Sequence, residues 1–140
     1  MCCILRNMDV AQTIFIWFPL VFMAVLVLAL RKWPPKSTNM SYGYRTKRSQ
    51  SSVKAWDYAQ KRCFELMTTW TTWMVAWTAW VWVFEDADRG ILITNGLMTL
   101  GVCLPLYFVE MELKKGEPYT PKGGVNMLAA ICSALLVFVL

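Results

Sequence analysis

Apolar residues in this chain fall into four blocks separated by short charged stretches. The first, residues 13–30, carries no charge and is long enough to cross a bilayer, which takes about 17 to 25 apolar residues. It exceeds the apolar core of a signal peptide, no small-residue cleavage site follows it, and Arg31 and Lys32 end it. Pro19 is expected to kink this helix or to mark its first turns. Pro34 and Pro35 keep it from continuing.

Residues 31–62 form the main polar segment. From about Ser52 its pattern turns helical: Val53, Trp56, Cys63 and Met67 share one face, while Lys54, Asp57 and Lys61 share another. Asp57 precedes Lys61 by four residues, the favourable order for a helical ion pair worth about 0.3 kcal/mol. This pattern predicts a short amphipathic helix at the membrane surface, leading into a second span.

That second block, residues 64–84, repeats Trp70, Trp73, Trp77 and Trp80 on one face and places Thr68, Thr72, Ala76 and Ala79 on another. Small residues permit close helix contact in lipid, so the Thr/Ala face is expected to pack against a neighbouring span. The Trp face is then left for lipid, a partner or a hydrophobic ligand, the plainer alternative being a bulky packing face. A turn spanning Glu85 to Gly90 precedes the third block, residues 91–109, in which Pro105 predicts a kink near Gly101. Gly116 is a natural helix stop. The fourth block, residues 125–140, is short for a span and is expected to cross. The fold class is therefore all-α: a single polytopic membrane helix bundle of three to four transmembrane helices plus a short amphipathic interfacial helix.

Composition agrees, with 57% hydrophobic residues against 16% charged. The charge is +5 overall, but its placement argues for orientation rather than for nucleic acid. Nine of the fourteen Lys and Arg residues lie between Arg31 and Arg62, and Lys114, Lys115 and Lys122 follow the third block. Four spans with the N-terminus outside put these twelve on the cytoplasmic side, where anionic lipid headgroups meet the basic loop. The five cysteines show no metal-ligand spacing, and the chain has no histidine. With no hydrolase, phosphate-loop or metalloprotease motif either, neither an enzyme nor a cofactor or metal site is expected.

What chemistry remains lies near the cytoplasmic interface, in Arg45, Asp57, Glu65 and Glu110. Charges there are either solvated by headgroups or paired. In the paired reading, Arg45 or a neighbouring cation meets Glu110 or Asp57 and fastens the loop to the bundle.

The run Tyr42-Gly43-Tyr44-Arg45-Thr46, followed by Lys47-Arg48-Ser49 and then Ala55-Trp56-Asp57-Tyr58-Ala59-Gln60, resembles the SdpI/YhfL family of bacterial membrane proteins. That family carries a GYRT-type loop and a tryptophan-bearing helix between its first two spans. Pro105-Leu106-Tyr107-Phe108 with Glu110 and Leu113-Lys114-Lys115 is similar to the end of the family's following span. The likeness covers residues 40–115. The Trp-rich second span, the apolar stretch after Gly124 and the missing acidic residue before Trp56 depart from it. The resemblance implies a non-enzymatic protein of the bacterial cytoplasmic membrane that acts in immunity or signalling by binding a peptide or protein. Its motif positions here are Gly43, Tyr44, Arg45, Thr46, Trp56 and Asp57, with Tyr44 and Trp56 expected to anchor at headgroup level. Two other functions are open to such a chain: accessory subunit of a larger membrane complex, and homo-oligomeric transporter or channel.

Overall fold

Asp9, Ser52 and Asp86 each precede a long helix, and the elements they start are α1 (Val10–Lys32), α2 (Val53–Phe84) and α3 (Ala87–Lys114). The computed structural model describes residues 9–36, 41–117 and 119, and among these no strand occurs. The expected short fourth span at 125–140 lies outside the described residues.

Each start has a local cause. The Asp9 N–H donates to Gln12 Oε1 at 3.1 Å, Ser52 Oγ accepts from the Ala55 N–H at 3.0 Å, and Asp86 Oδ1 accepts from the Arg89 N–H at 2.9 Å. Side chains thereby satisfy donors that a helix N-terminus leaves open. Helix α1 ends on Arg31 and Lys32, just before Pro34 and Pro35. Helix α3 gives way at Gly116, which takes φ +78° and donates its N–H to the Leu113 carbonyl.

Helices α1 and α3 are long and apolar enough to cross a membrane. Helix α1 buries a narrow stripe of Ile16, Pro19, Met23 and Val27, and its helix continues through Pro19. Its outer face is apolar as well, with Ile14, Phe15, Phe18, Val21, Phe22 and Val25 all exposed. A helix apolar all round needs lipid or protein on every side.

Helix α2 corrects two expectations. The amphipathic segment is not a separate interfacial helix: it is the first third of one continuous 32-residue helix. At about 1.5 Å per residue that helix is about 48 Å long, well beyond a bilayer core of about 30 Å. Its amphipathic face points into the bundle, where Ala55, Trp56, Ala59, Cys63 and Met67 are buried. Lys54, Asp57 and Lys61 are exposed as the pattern required, but Asp57 and Lys61 form no ion pair.

The second correction concerns the Thr/Ala face, which does not pack inward, whereas the Trp face is the bulky packing face. Trp70 and Trp77 are buried and Trp73 and Trp80 half-buried, whereas Thr72, Ala76 and Ala79 are exposed. The small residues that admit close approach sit on α3 instead. A Cβ placed at Gly101 would lie 2.2 Å from the Trp70 ring, so the missing side chain there makes room for the indole. Trp70 Nε1 then donates to the Leu97 carbonyl at 2.9 Å. The outward threonines suit an apolar setting because Thr68, Thr69, Thr71 and Thr72 each turn the hydroxyl back to the carbonyl four residues earlier.

Candidate functional site at the loop clasp

Residues 41–52 lead into α2, and the motif residues of this loop decide how it lies. Gly43 adopts φ +108°, and a Cβ there would stand 2.8 Å from Gln60 Oε1 and 3.0 Å from the Pro35 ring. Both the backbone angle and the crowding demand glycine. The next residue, Tyr44, is gripped through its main chain by Gln60 of α2. Its N–H donates to Gln60 Oε1 and its carbonyl accepts from Gln60 Nε2, each at 2.8 Å.

Downstream, Thr46 and Ser49 cap each other. The Thr46 N–H donates to Ser49 Oγ at 2.9 Å and the Ser49 N–H to Thr46 Oγ1 at 3.1 Å. Ser49 Oγ also reaches the Tyr44 carbonyl at 3.0 Å, and Ser49 is fully buried. This reciprocal pair closes a single turn and aims Arg48 at α3.

On α3 the acceptor is Glu110. Tyr44 Oη lies 3.0 Å from Glu110 Oε2 and 3.2 Å from the Leu106 carbonyl, and Arg48 Nη1 pairs with Glu110 Oε1. Burial first, and then the neighbouring carboxylate, push the Tyr44 hydroxyl well above the usual tyrosine range, so it remains a donor. The loop is thus clasped from two helices: α2 holds its backbone and α3 its side chains.

The structure separates the motif positions. Gly43, Tyr44, Thr46 and Glu110 come together in the clasp. Trp56 is buried to 1% exposure beneath the end of α1, with Nε1 3.4 Å from the Pro35 carbonyl. Tyr44 and Trp56 are therefore packed inside the protein and do not anchor at headgroup level. Arg45 and Asp57 stand apart, exposed and without an ion pair among the described residues. The cation that meets Glu110 is Arg48, the neighbour of Arg45.

A second polar cluster takes in Glu65, one of the candidate interfacial charges, and is centred on a pair that the sequence does not single out. Arg62 Nε and Nη2 bind the two Glu112 oxygens at 3.1 and 3.3 Å, and Tyr58 Oη donates to Glu112 Oε2 at 2.8 Å. Glu65 adds a contact to Arg62 Nη1 at 3.2 Å. Both members of the main pair are about 5% exposed. The signal was present, since Tyr58, Arg62 and Glu65 follow one another along a single helical face. By sequence alone Arg62 counts only as an orienting positive charge.

Leu26, Leu30 and Arg31 of α1, Gly43 and Tyr44 of the loop, and Asp57, Gln60, Lys61, Phe64 and Met67 of α2 border a cavity of about 490 Å³.

Over 45 residues the chain is 40% identical to the uncharacterized protein YfhL of Bacillus subtilis (strain 168). That stretch is 32% of this chain and spans 41% of the relative's length. No known family profile matches the chain, and no solved structure does. The partial likeness to YfhL agrees with the resemblance drawn from the GYRT-type loop, and the two apolar helices agree with a membrane protein.

Proposed function

We propose that this chain is a non-enzymatic integral membrane protein of SdpI-like type that binds a peptide or protein partner at the cytoplasmic face of the membrane, in immunity or signalling. In this reading it makes four spans with the N-terminus outside, and residues 31–62 are cytoplasmic. The observation that carries the reading is the division of labour within the loop. Gly43, Tyr44, Thr46, Arg48 and Ser49 are all spent on fastening it. Arg45 and Lys47 are left pointing outward from the immobilised turn, exposed and without an ion pair among the described residues.

A rigid support carrying directed guanidinium and ammonium groups is suited to recognising carboxylates of a partner, because the ordering cost is met before binding. The Trp face gives less support to the accessory-subunit reading, since Trp70 and Trp77 are already covered within the bundle. The test is survival of a toxin-sensitive bacterium expressing the intact protein or Arg45→Ala, with partner capture by photo-crosslinking from position 47. Protection that needs Arg45 supports the proposal. Equal killing with and without the protein, and no crosslinked partner, removes it.

A further inference from the structure

The cavity between the end of α1 and the start of the apolar part of α2 has a graded lining. Leu26, Leu30, Phe64 and Met67 line its apolar side, whereas Arg31, Asp57 and Lys61 belong to its polar rim. Leu26 and Leu30 precede Arg31 on α1, while Phe64 and Met67 follow Lys61 on α2. On both walls, then, the change from charged to apolar lining occurs over a few residues. This is the arrangement of an interfacial site, with its apolar side toward the hydrocarbon and its charged rim at headgroup level.

Its volume of about 490 Å³ falls within the roughly 300–1,000 Å³ of pockets that hold small molecules. Tyr44 and Gln60 close one end, the Gln60 amide being used on the Tyr44 main chain and the Tyr44 hydroxyl on Glu110 and the Leu106 carbonyl. Arg31 and Lys61 are exposed and form no ion pair among the described residues, so two cations at the mouth have charge to offer. Among the described residues that line the cavity, Asp57 is the single carboxylate.

We infer that this cavity binds one phospholipid with an anionic headgroup, its phosphate held by Arg31 and Lys61 and an acyl chain lying against Leu26, Leu30, Phe64 and Met67. The charge balance favours an anionic headgroup over a zwitterionic one, because the rim carries two cations against one anion. Phosphate alone is a poor occupant, since the apolar wall would stay uncovered. The inference is independent of any immunity or signalling role.

The test uses the full chain purified in mild detergent. Native mass spectrometry measures retention of phosphatidylglycerol and of phosphatidylcholine with the same acyl chains, and inorganic phosphate serves as competitor. A phosphatidylglycerol bearing a photoreactive acyl chain maps the contact. One phosphatidylglycerol per chain is expected, at least tenfold preferred over phosphatidylcholine, unmoved by millimolar phosphate and crosslinked at Leu30, Phe64 or Met67. Arg31→Gln with Lys61→Gln should lower that preference about tenfold. Asp57→Asn should raise retention two- to threefold, a gain that misfolding does not produce. Equal retention of the two lipids, displacement by phosphate, or crosslinks scattered along Ile14, Phe18 and Val25 would overturn the inference. So would crosslinks that fall in residues 120–140 and not in the cavity wall, which would show the chain itself filling the space.

Discussion

Gln60 on α2 binds both main-chain polar groups of Tyr44, accepting from its N–H and donating to its carbonyl at 2.8 Å each. A side-chain amide matches a peptide unit in shape and polarity, so one residue of a helix here does what a neighbouring strand would do. Gln60→Met keeps the volume but leaves both groups of Tyr44 without that partner. A loss of about 1–3 kcal/mol in holding the loop is expected. Limited proteolysis between residues 41 and 52 should quicken, with helix content unchanged; an unaltered cleavage rate would mean that the grip contributes nothing.

Tyr44 and Glu110 make the clasp sensitive to pH in one direction. A released loop ionises Tyr44 near its ordinary value of 10.0, whereas the clasped loop holds the proton to higher pH. Clasping is therefore at full strength below pH 10 and weakens as pH rises through that range. Tyrosinate absorbance measured together with loop cleavage should show the two rising in step. In Tyr44→Phe that linked rise should vanish. Arg48→Gln should have the smaller effect, about 0–1 kcal/mol, because its pair with Glu110 is partly exposed.

The pair Arg62 and Glu112 is more deeply buried, and removing one partner strands the other. Glu112→Gln or Arg62→Met should each cost about 3–5 kcal/mol, measured by thermal or denaturant unfolding in detergent. Replacing both with apolar residues should recover much of that loss. A double variant as unstable as the sum of the singles would show that the two do not act as a pair.

Gly101 and Trp70 form a knob and hole between α3 and α2. Gly101→Ala places a methyl group 2.2 Å from the indole and should cost about 1–3 kcal/mol. Trp70→Leu in the same chain should relieve the clash, so the double variant should be more stable than additivity predicts. Strict additivity in the melting curves would remove the contact from the account.

Orientation is testable in a chain whose native cysteines are replaced by serine. Ser51→Cys should react with an impermeant maleimide only after the membrane is opened, and Asp88→Cys should react in intact cells. The reverse pattern would invert the proposed topology.

Much of the helical plan was legible because apolar blocks, prolines and caps are local signals. Pro34 and Pro35 marked the end of α1, Ser52 the start of α2, and Gly116 the end of α3. Which face of α2 turns inward was not legible, because that depends on where the holes lie on a different helix. The small-residue rule held, but the residue that decided it was Gly101 and not the Thr/Ala stripe. The short turn expected from Glu85 to Gly90 reduces to Glu85 and Asp86, since the Asp86 cap lets α3 begin at Ala87. At the clasp, Glu110 stood out as a carboxylate just past an apolar block. That Arg48 and not Arg45 meets it depends on the Thr46–Ser49 turn, which sets the direction of each side chain.

The brief link at Glu85 and Asp86 bears on how the molecule can yield. Helices α2 and α3 are joined like the legs of a hairpin, braced at mid-length by Trp70 against Gly101 and toward the open end by Arg62 with Glu112. Helix α1 packs against both legs through Ile16, Pro19, Met23 and Val27 and is joined to them by the clasped loop. Its C-terminal end forms one wall of the cavity that Arg31 and Lys61 border. Widening that mouth by a tilt of α1 would thus disturb its buried stripe, with Met23 and Val27 in the core, as well as the clasp.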